Sequence, residues 1–223
     1  MIKRSSFTIG IAGGTGSGKT ILASDLAKRL GSKGACLLGL DSYYVDRSDL
    51  SEVERTQVNY DQPNAIDHQL LLAHLKTLLR GECVEKPVYC FDTHTRRVYT
   101  QRLSPAPLIL VEGLFAFWDP EVRELLDLKI FVDADSDLRV IRRMRRDALD
   151  RGRSPESVME QYLTSVRPMH QLYIEPCKKH SDLVLNNNGA DPQIFLAKAT
   201  RVIARFLEDR GVPLKSHAVF GCA

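Results

Sequence analysis

Eight consecutive residues, Gly13-Gly14-Thr15-Gly16-Ser17-Gly18-Lys19-Thr20, fit the spacing G-x-x-x-x-G-K-[ST]. That spacing surrounds a run of phosphates with backbone donors, one ammonium and one hydroxyl. The four glycines permit backbone conformations closed to other residues and turn successive amides inward, while the start of a following helix adds partial positive charge. Lys19 is expected to bridge the outer phosphates and Thr20 to hold a magnesium ion, so the chain is predicted to bind a nucleoside triphosphate.

What the triphosphate is used for must come from other residues. In open α/β sheets ligands gather at the carboxyl ends of the strands, and three acids close apolar runs there. Asp41 follows Ala35 to Leu40, Glu112 follows Leu108 to Val111, and Asp133 follows Ile130 to Val132. A carboxylate beside a phosphate loop can orient metal-bound water or take a proton from an attacking hydroxyl, and the second role is worth roughly 10²–10⁴ in rate. Asp41 is the candidate base and Glu112 the candidate metal-shell residue. Asp41-Ser42 would also suit a helix N-cap, and Asp133-Ala134-Asp135 a lead into the next helix.

Arg139, Arg142, Arg143, Arg145, Arg146, Arg151 and Arg153 crowd one predicted helix and its exit. Such a cluster can be a solvated face, a nucleic-acid patch or a lid over transferring phosphates. Asp147 and Asp150 lie within a turn of Arg143 and Arg146, so part of the cluster is expected to pair internally. The excess of guanidiniums over acids would repel itself without an anion nearby, and transferring phosphoryl groups supply one, which favours the lid.

These groups need a frame. Apolar runs of strand length recur at Phe7 to Ala12, Ala35 to Leu40, Leu108 to Val111, Lys129 to Val132 and Leu183 to Leu185, with helical segments between most of them. Ile21, Leu22, Leu26 and Leu30 carry helical spacing directly after the glycine-rich turn. Further helix starts are predicted at Asp67 (an apolar run closed by Gly81), Asp119-Pro120, Ser154-Pro155 and Asp191-Pro192, the last helix closed by Gly211. The alternation predicts an α/β fold: a mostly parallel sheet of phosphate-loop type, flanked by helices on both faces. Residues 87–103 depart from it, because Val88 to Phe91 and Arg97 to Thr100 look like the arms of a projecting hairpin around Thr93-His94-Thr95. On the residues alone, Tyr89 and Phe91 read as packing on one strand face, and His94 as structural. One domain over 1–211, with a lid at about 137–158 and a loose tail at 212–223, is the expected organisation.

Composition narrows the setting. The 223 residues, 43% hydrophobic and 26% charged, suffice for one sizeable core. A formal charge of +3 does not by itself advertise nucleic acid. Cys36, Cys83, Cys90, Cys177 and Cys222 form no C-x-x-C pair and suit free thiols in a reducing compartment. Neither a signal-like apolar segment nor a bilayer-length run occurs in the sequence. The expectation is a cytoplasmic protein with no membrane and no nucleic-acid partner. An N-K-x-D guanine-reading motif is also missing, which weakens a switch-type GTPase.

Taken together the segments resemble the uridine kinase (uridine-cytidine kinase) family, most closely its bacterial members, from about Ile9 to Asp191. The resemblance is carried by Asp41-Ser42-Tyr43-Tyr44, Asn59 to Asp67, Pro87-Val88-Tyr89, Thr93-His94-Thr95-Arg96, Val111-Glu112-Gly113, Arg146-Asp147, Arg151-Gly152-Arg153-Ser154, Gln161-Tyr162, Val166 to Met169 and Ile174-Glu175-Pro176. It implies transfer of the γ-phosphoryl group of ATP or GTP to the 5′-hydroxyl of uridine or cytidine, with Mg²⁺, in a homotetramer. It also implies Asp41 as general base, Asp61 on the ribose hydroxyls, Tyr89 and His94 at the pyrimidine edge and Phe91 against its ring. Arg143, Arg153 and Gln161 would contact the acceptor, and Arg146 and Arg151 the donor phosphates. Cys90, Asp92 and Asn186-Asn187-Asn188 depart from the family's pattern, the last near the expected donor-base site. Rival readings are a kinase of another small alcohol, of the phosphoribulokinase kind, and a nucleic-acid-binding ATPase using the arginine helix.

Overall fold

The computed structural model describes residues 6–30 and 34–210, with Leu30 in its backbone only. Gly211, the tail at 212–223 and Cys222 lie outside the described residues.

Five strands form the central sheet: β1 (Phe7–Gly13), β2 (Ala35–Gly39), β5 (Leu108–Glu112), β6 (Leu128–Asp133) and β7 (Leu183–Asn186). They pair in the order β2-β5-β1-β6-β7, every pair parallel. Alternation along each strand fills two cores. Ile9, Ile11, Leu108, Leu110, Leu128, Ile130 and Val132 face one side, with Leu22 and Leu26 of α1 (Lys19–Leu30) and Phe195, Leu196 and Ile203 of α8 (Pro192–Glu208). Cys36, Leu38, Ile109, Val111 and Phe131 face the other, with Leu71, Leu75 and Leu78 of α3 (His68–Leu79) and Val122 of α4 (Pro120–Glu124). A sheet covered on both faces explains why its strands read as apolar runs.

The helix starts lie where the sequence placed them, because each has its cap. Asp67, Asp119, Ser154 and Asp191 accept hydrogen bonds from backbone N–H groups of the first turns of α3, α4, α6 (Pro155–Gln161) and α8. The short α2 (Glu52–Gln57) carries a full capping box between Ser51 and Glu54. β2 ends at Gly39, one residue early, and Leu40–Tyr43 forms a 3₁₀ turn that sets Asp41 just beyond the strand. No side-chain cap bond opens that turn, so Asp41 does not serve as its N-cap.

The hairpin is longer than expected: β3 (Val84–Cys90) pairs antiparallel with β4 (Thr95–Leu103). Pro87 had marked its start in the sequence. Instead the register shifts between Pro87 and Tyr89, and the irregularity accommodates the residue that lacks an N–H. His94 closes the turn with φ of 54°, a left-handed conformation that is uncommon for any residue but glycine.

The arginine-rich α5 (Ser136–Arg151) leads to α6 through Gly152, which is left-handed at the C-cap. Helical backbone then continues to His180. Wide π-type turns at Tyr162–Val166 and His170–Ile174 flank α7 (Arg167–Met169), and a 3₁₀ segment runs from Glu175 to His180. Pro168 and Pro176 each remove an N–H from this path and make regular α-helix unfavourable.

Candidate active site

β1 delivers the chain to the glycine-rich loop at the carboxyl end of the sheet, and α1 starts at Lys19. Gly16 and Gly18 have φ of 73° and 96°. A Cβ at Gly16 would strike the Arg139 carbonyl, and one at Gly18 would come within 2.5 Å of Asn187 Nδ2, so both positions require glycine twice over. β5 lies beside β1 with Glu112 opposite Ile11, and the Glu112 carboxylate therefore reaches the loop. Thr20 Oγ1 donates to Glu112 Oε1 at 3.0 Å, and Lys19 Nζ lies 3.6 Å from the same oxygen. Burial holds the Glu112 carboxyl above the usual carboxylate range, Asp41 pushes the same way, and Lys19 pulls back.

The loop suits the ligands that its spacing predicts. Ser17 Oγ is buried with no hydrogen-bond partner in the protein, in a loop walled by cations. Thr20 and Glu112 are hard oxygen donors, and a magnesium ion commonly takes only one or two such protein ligands, completing its shell with phosphate oxygens and water.

Beyond Lys19 a cleft of about 970 Å³ opens, lined by Thr15, Lys19, Asp41, Asp61, Tyr89, Phe91, His94, Arg143, Arg146, Arg151, Arg153 and Gln161. Every acceptor and lid residue that the family resemblance implies thus lines one cavity. Asp41 is exposed to it. Asp61 is 8% exposed and accepts from Ser165 Oγ at 2.7 Å, and Asn59 Oδ1 accepts from both the Ser165 hydroxyl (3.0 Å) and the Asp61 N–H (2.9 Å). Ser165 lies in the first π-type turn, which therefore helps to set the acid's geometry.

Aromatic rings form part of the wall. Tyr44 and Tyr89 have centroids 5.0 Å apart, Tyr89 and Phe91 meet edge-on at 5.3 Å, and His94 stacks on Tyr60 at 4.6 Å with planes 13° apart. His94 Nδ1 is buried without a partner. Burial, then Arg55, Arg151 and Arg153, hold His94 below its usual pKa, so the imidazole is neutral at pH 7. Phe91 carries the Arg151 guanidinium over its face, 4.7 Å from the centroid. Arg151, matched by resemblance to the donor phosphates, thus leans on the hairpin.

Arg143 donates to Thr15 Oγ1 (3.3 Å) and to Gln161 Oε1 (2.8 Å), and Arg153 donates to the same Gln161 oxygen (2.5 Å). These three are brought together as a group. Asp147 pairs with both Arg143 and Arg146, whereas Asp150 is exposed and pairs with neither. Asp133, the third strand-end acid, neither caps a helix nor lines the cleft: Lys178 Nζ binds it at 2.5 Å. His170, held down to about 4 by burial and by Arg139, is a neutral ring packed beside Gly14.

Several contributors had no role in the sequence reading. Tyr44, Tyr60, Asn59 and Ser165 line the cleft. Arg96 fixes the hairpin, with its N–H on Asp46 Oδ1 (2.9 Å), Nε on the Tyr44 carbonyl (2.9 Å) and Nη2 on Asp67 (3.2 Å). All but Ser165 and Asp46 stood inside quoted motifs, which was the available signal. Asn187 Nδ2 donates to the Ser17 carbonyl at 2.8 Å, so part of the divergent Asn186-Asn187-Asn188 stretch braces the phosphate loop from behind.

The strand order, loop and flanking helices define a phosphate-loop kinase fold, shared with phosphoribulokinase from Rhodobacter spheroides (TM-score 0.61, 18% identity, 82% of this chain and 70% of that one). The model of the Phosphoribulokinase / Uridine kinase family matches residues 8–191. The chain is 45% identical over 208 residues to a uridine kinase of Clostridium perfringens, covering 92% of this chain and all of that one. It is 47% identical over 184 residues to a uridine kinase of Chloroflexus aggregans, covering 82% and 88%. The chain belongs to the Phosphoribulokinase / Uridine kinase family and is a kinase.

Proposed function

We propose that this chain transfers the γ-phosphoryl group of ATP or GTP to the 5′-hydroxyl of uridine and cytidine, forming their 5′-monophosphates. The observation that carries the reading is a single cleft lined by Lys19 and Asp41 together with Asp61, Tyr89 and His94. Asp41 takes the proton of the attacking hydroxyl, and Asp61, pre-oriented by Ser165 and Asn59, accepts from the vicinal hydroxyls of ribose. Neutral His94 can donate to a pyrimidine carbonyl or accept from an exocyclic amine according to tautomer, which favours use of both nucleosides. Lys19, Arg143, Arg146, Arg151 and Arg153 offset charge that spreads over the transferring group. Thr20 and Glu112 would hold a magnesium ion, which when bound neutralises phosphate charge.

The aromatic wall favours a base-bearing acceptor over a sugar phosphate, since Tyr44, Tyr60, Tyr89, Phe91 and His94 present ring surface that a small polyol would leave unused. Among the described residues no helix is long and apolar enough to cross a membrane. The free thiols Cys36, Cys83, Cys90 and Cys177 suit a reducing cytoplasm. Assembly as a homotetramer follows the family resemblance and is read by light scattering of the purified chain. The test of function is a coupled assay across uridine, cytidine, 2′-deoxyuridine, adenosine and ribulose 5-phosphate, each with ATP and GTP. Turnover of the two pyrimidine ribonucleosides and weak use of the others is expected; preference for ribulose 5-phosphate would overturn the reading.

A further inference from the structure

Asp147 is fully buried and stands among four guanidiniums. Its Oδ1 accepts from Arg146 (Nη2 at 2.8 Å, Nε at 2.9 Å) and lies 3.7 Å from Arg151, while its Oδ2 lies 3.4 Å from Arg143 and 3.8 Å from Arg153. The backbone joins in, because the Asp147 carbonyl accepts the N–H of Gly152 and, at 3.1 Å, that of Arg153. From this point the arginines fan out. Arg143 reaches Thr15 of the phosphate loop, Arg151 covers Phe91 of the hairpin, and Arg153 holds Ser157 and Gln161.

We propose that Asp147 is the positioning residue of the arginine lid: it gathers four mutually repelling cations before any nucleotide arrives and limits the charge they present. The inference rests on the reading of the cleft as a phosphoryl-transfer site. Four guanidiniums within 4 Å of one carboxylate repel one another strongly in a cleft with low-dielectric walls, and removal of the shared anion would let the more exposed ones swing away. Asp61 also acts on Arg143, and even with both carboxylates counted the four arginines keep a surplus of positive charge, suited to a polyphosphate. Each arginine has five N–H donors, so holding Asp147 leaves donors free for an incoming anion.

Asp147→Asn keeps the side chain's size while removing its charge. If Asp147 positions and limits the lid, that change loosens the geometry yet raises the pull on anions, so turnover and anion affinity move in opposite directions. A lid that had merely lost its fold would lose both together.

The experiment measures steady-state kinetics, triphosphate binding with sulfate as competitor, and thermal melting, on the full chain as wild type, Asp147→Asn and Asp147→Glu. In Asp147→Asn we expect kcat to fall about 10–100-fold, as misplacement of catalytic groups by an ångström does. The donor KM should not rise, and the sulfate Ki should fall several-fold. Asp147→Glu, with its charge restored one methylene further out, should keep a sulfate Ki near wild type with an intermediate kcat. Wild-type kcat in Asp147→Asn, or a kcat loss with an unchanged or raised sulfate Ki, overturns the proposal. If Asp147→Asn does not fold, reduced kcat at an unchanged sulfate Ki in Asp147→Glu supports it, and wild-type kcat there overturns it. Failure of both variants to fold overturns it as well, because the residue then serves the fold rather than the lid. Should the wild type make no uridine monophosphate, the acceptor reading fails separately, and the Asp147 proposal stands or falls on whether sulfate competes more strongly for triphosphate binding in Asp147→Asn.

Discussion

The phosphate loop draws its groups from eight consecutive residues, Gly13 to Thr20, whereas the proposed acceptor end of the cleft assembles Asp41, Asp61, His94, Gln161 and Ser165 from four separate segments. The difference follows from what each must read. Phosphates are the same in every triphosphate, and a backbone turn with one lysine and one hydroxyl suffices to cradle them. A nucleoside presents hydroxyls, a flat ring and a distinctive edge, and no short run of chain can face all three. The acceptor end therefore depends on struts such as Arg96, which ties the hairpin to the turn carrying Asp41 and Tyr44, and Ser165, which orients Asp61.

This division of labour predicts that acceptor-end substitutions spare the donor. The largest effect is expected for Asp41→Asn, where loss of the base should lower kcat by at least about 10²-fold with the triphosphate KM unchanged in a coupled assay. A parallel loss of triphosphate affinity would erase the boundary between the two ends. Next comes Asp61→Asn, expected to lower kcat/KM for uridine by about 10–100-fold, the range for hydrogen bonds to a charged group. The same variant should lose distinctly less with 2′-deoxyuridine, which keeps only the 3′-hydroxyl, and equal losses on both nucleosides would detach Asp61 from the 2′-hydroxyl. His94→Ala is expected to raise the uridine KM about tenfold, in line with a lost hydrogen bond and stacking partner, at an unchanged ATP KM.

The smallest effect is a pH dependence. Burial raises the Glu112 pKa, so as pH falls its carboxylate is lost at a higher pH than that of an ordinary glutamate. Half-saturation by Mg²⁺ should accordingly rise few-fold as the assay is taken from neutral towards acid pH. Glu112→Gln should need more Mg²⁺ throughout and lose that slope; a slope retained in the variant would assign the titration to another group. His94, shifted downward, gains its proton at a lower pH than an ordinary histidine.

The fold was largely legible because its signals are local. Apolar runs marked the five sheet strands, and Asp67, Asp119, Ser154 and Asp191 marked helix starts through caps that act within one turn. The site was legible where chemistry is local too: the loop, and acids at strand ends that the parallel sheet carries to one edge. What escaped was long-range. Arg151 stands one helical turn from Asp147, but helical spacing does not reveal that Arg153, beyond the left-handed Gly152, folds back onto the same carboxylate. Lys178 is 45 positions from Asp133, and their ion pair removes from the cleft an acid that strand-end logic had admitted. Pro87 misled in the opposite sense, since a proline in a strand reads as a boundary unless an irregular register absorbs it.

The central claim, that the cleft holds a nucleoside with its 5′-hydroxyl at Asp41 and in line with the triphosphate on the loop, is tested most directly by the position of the new phosphate. Proton-coupled ³¹P NMR of the product made by the wild-type chain from uridine and ATP should show the 5′-monophosphate alone. Phosphate on the 2′ or 3′ oxygen, or free phosphate with uridine unchanged, would contradict the account.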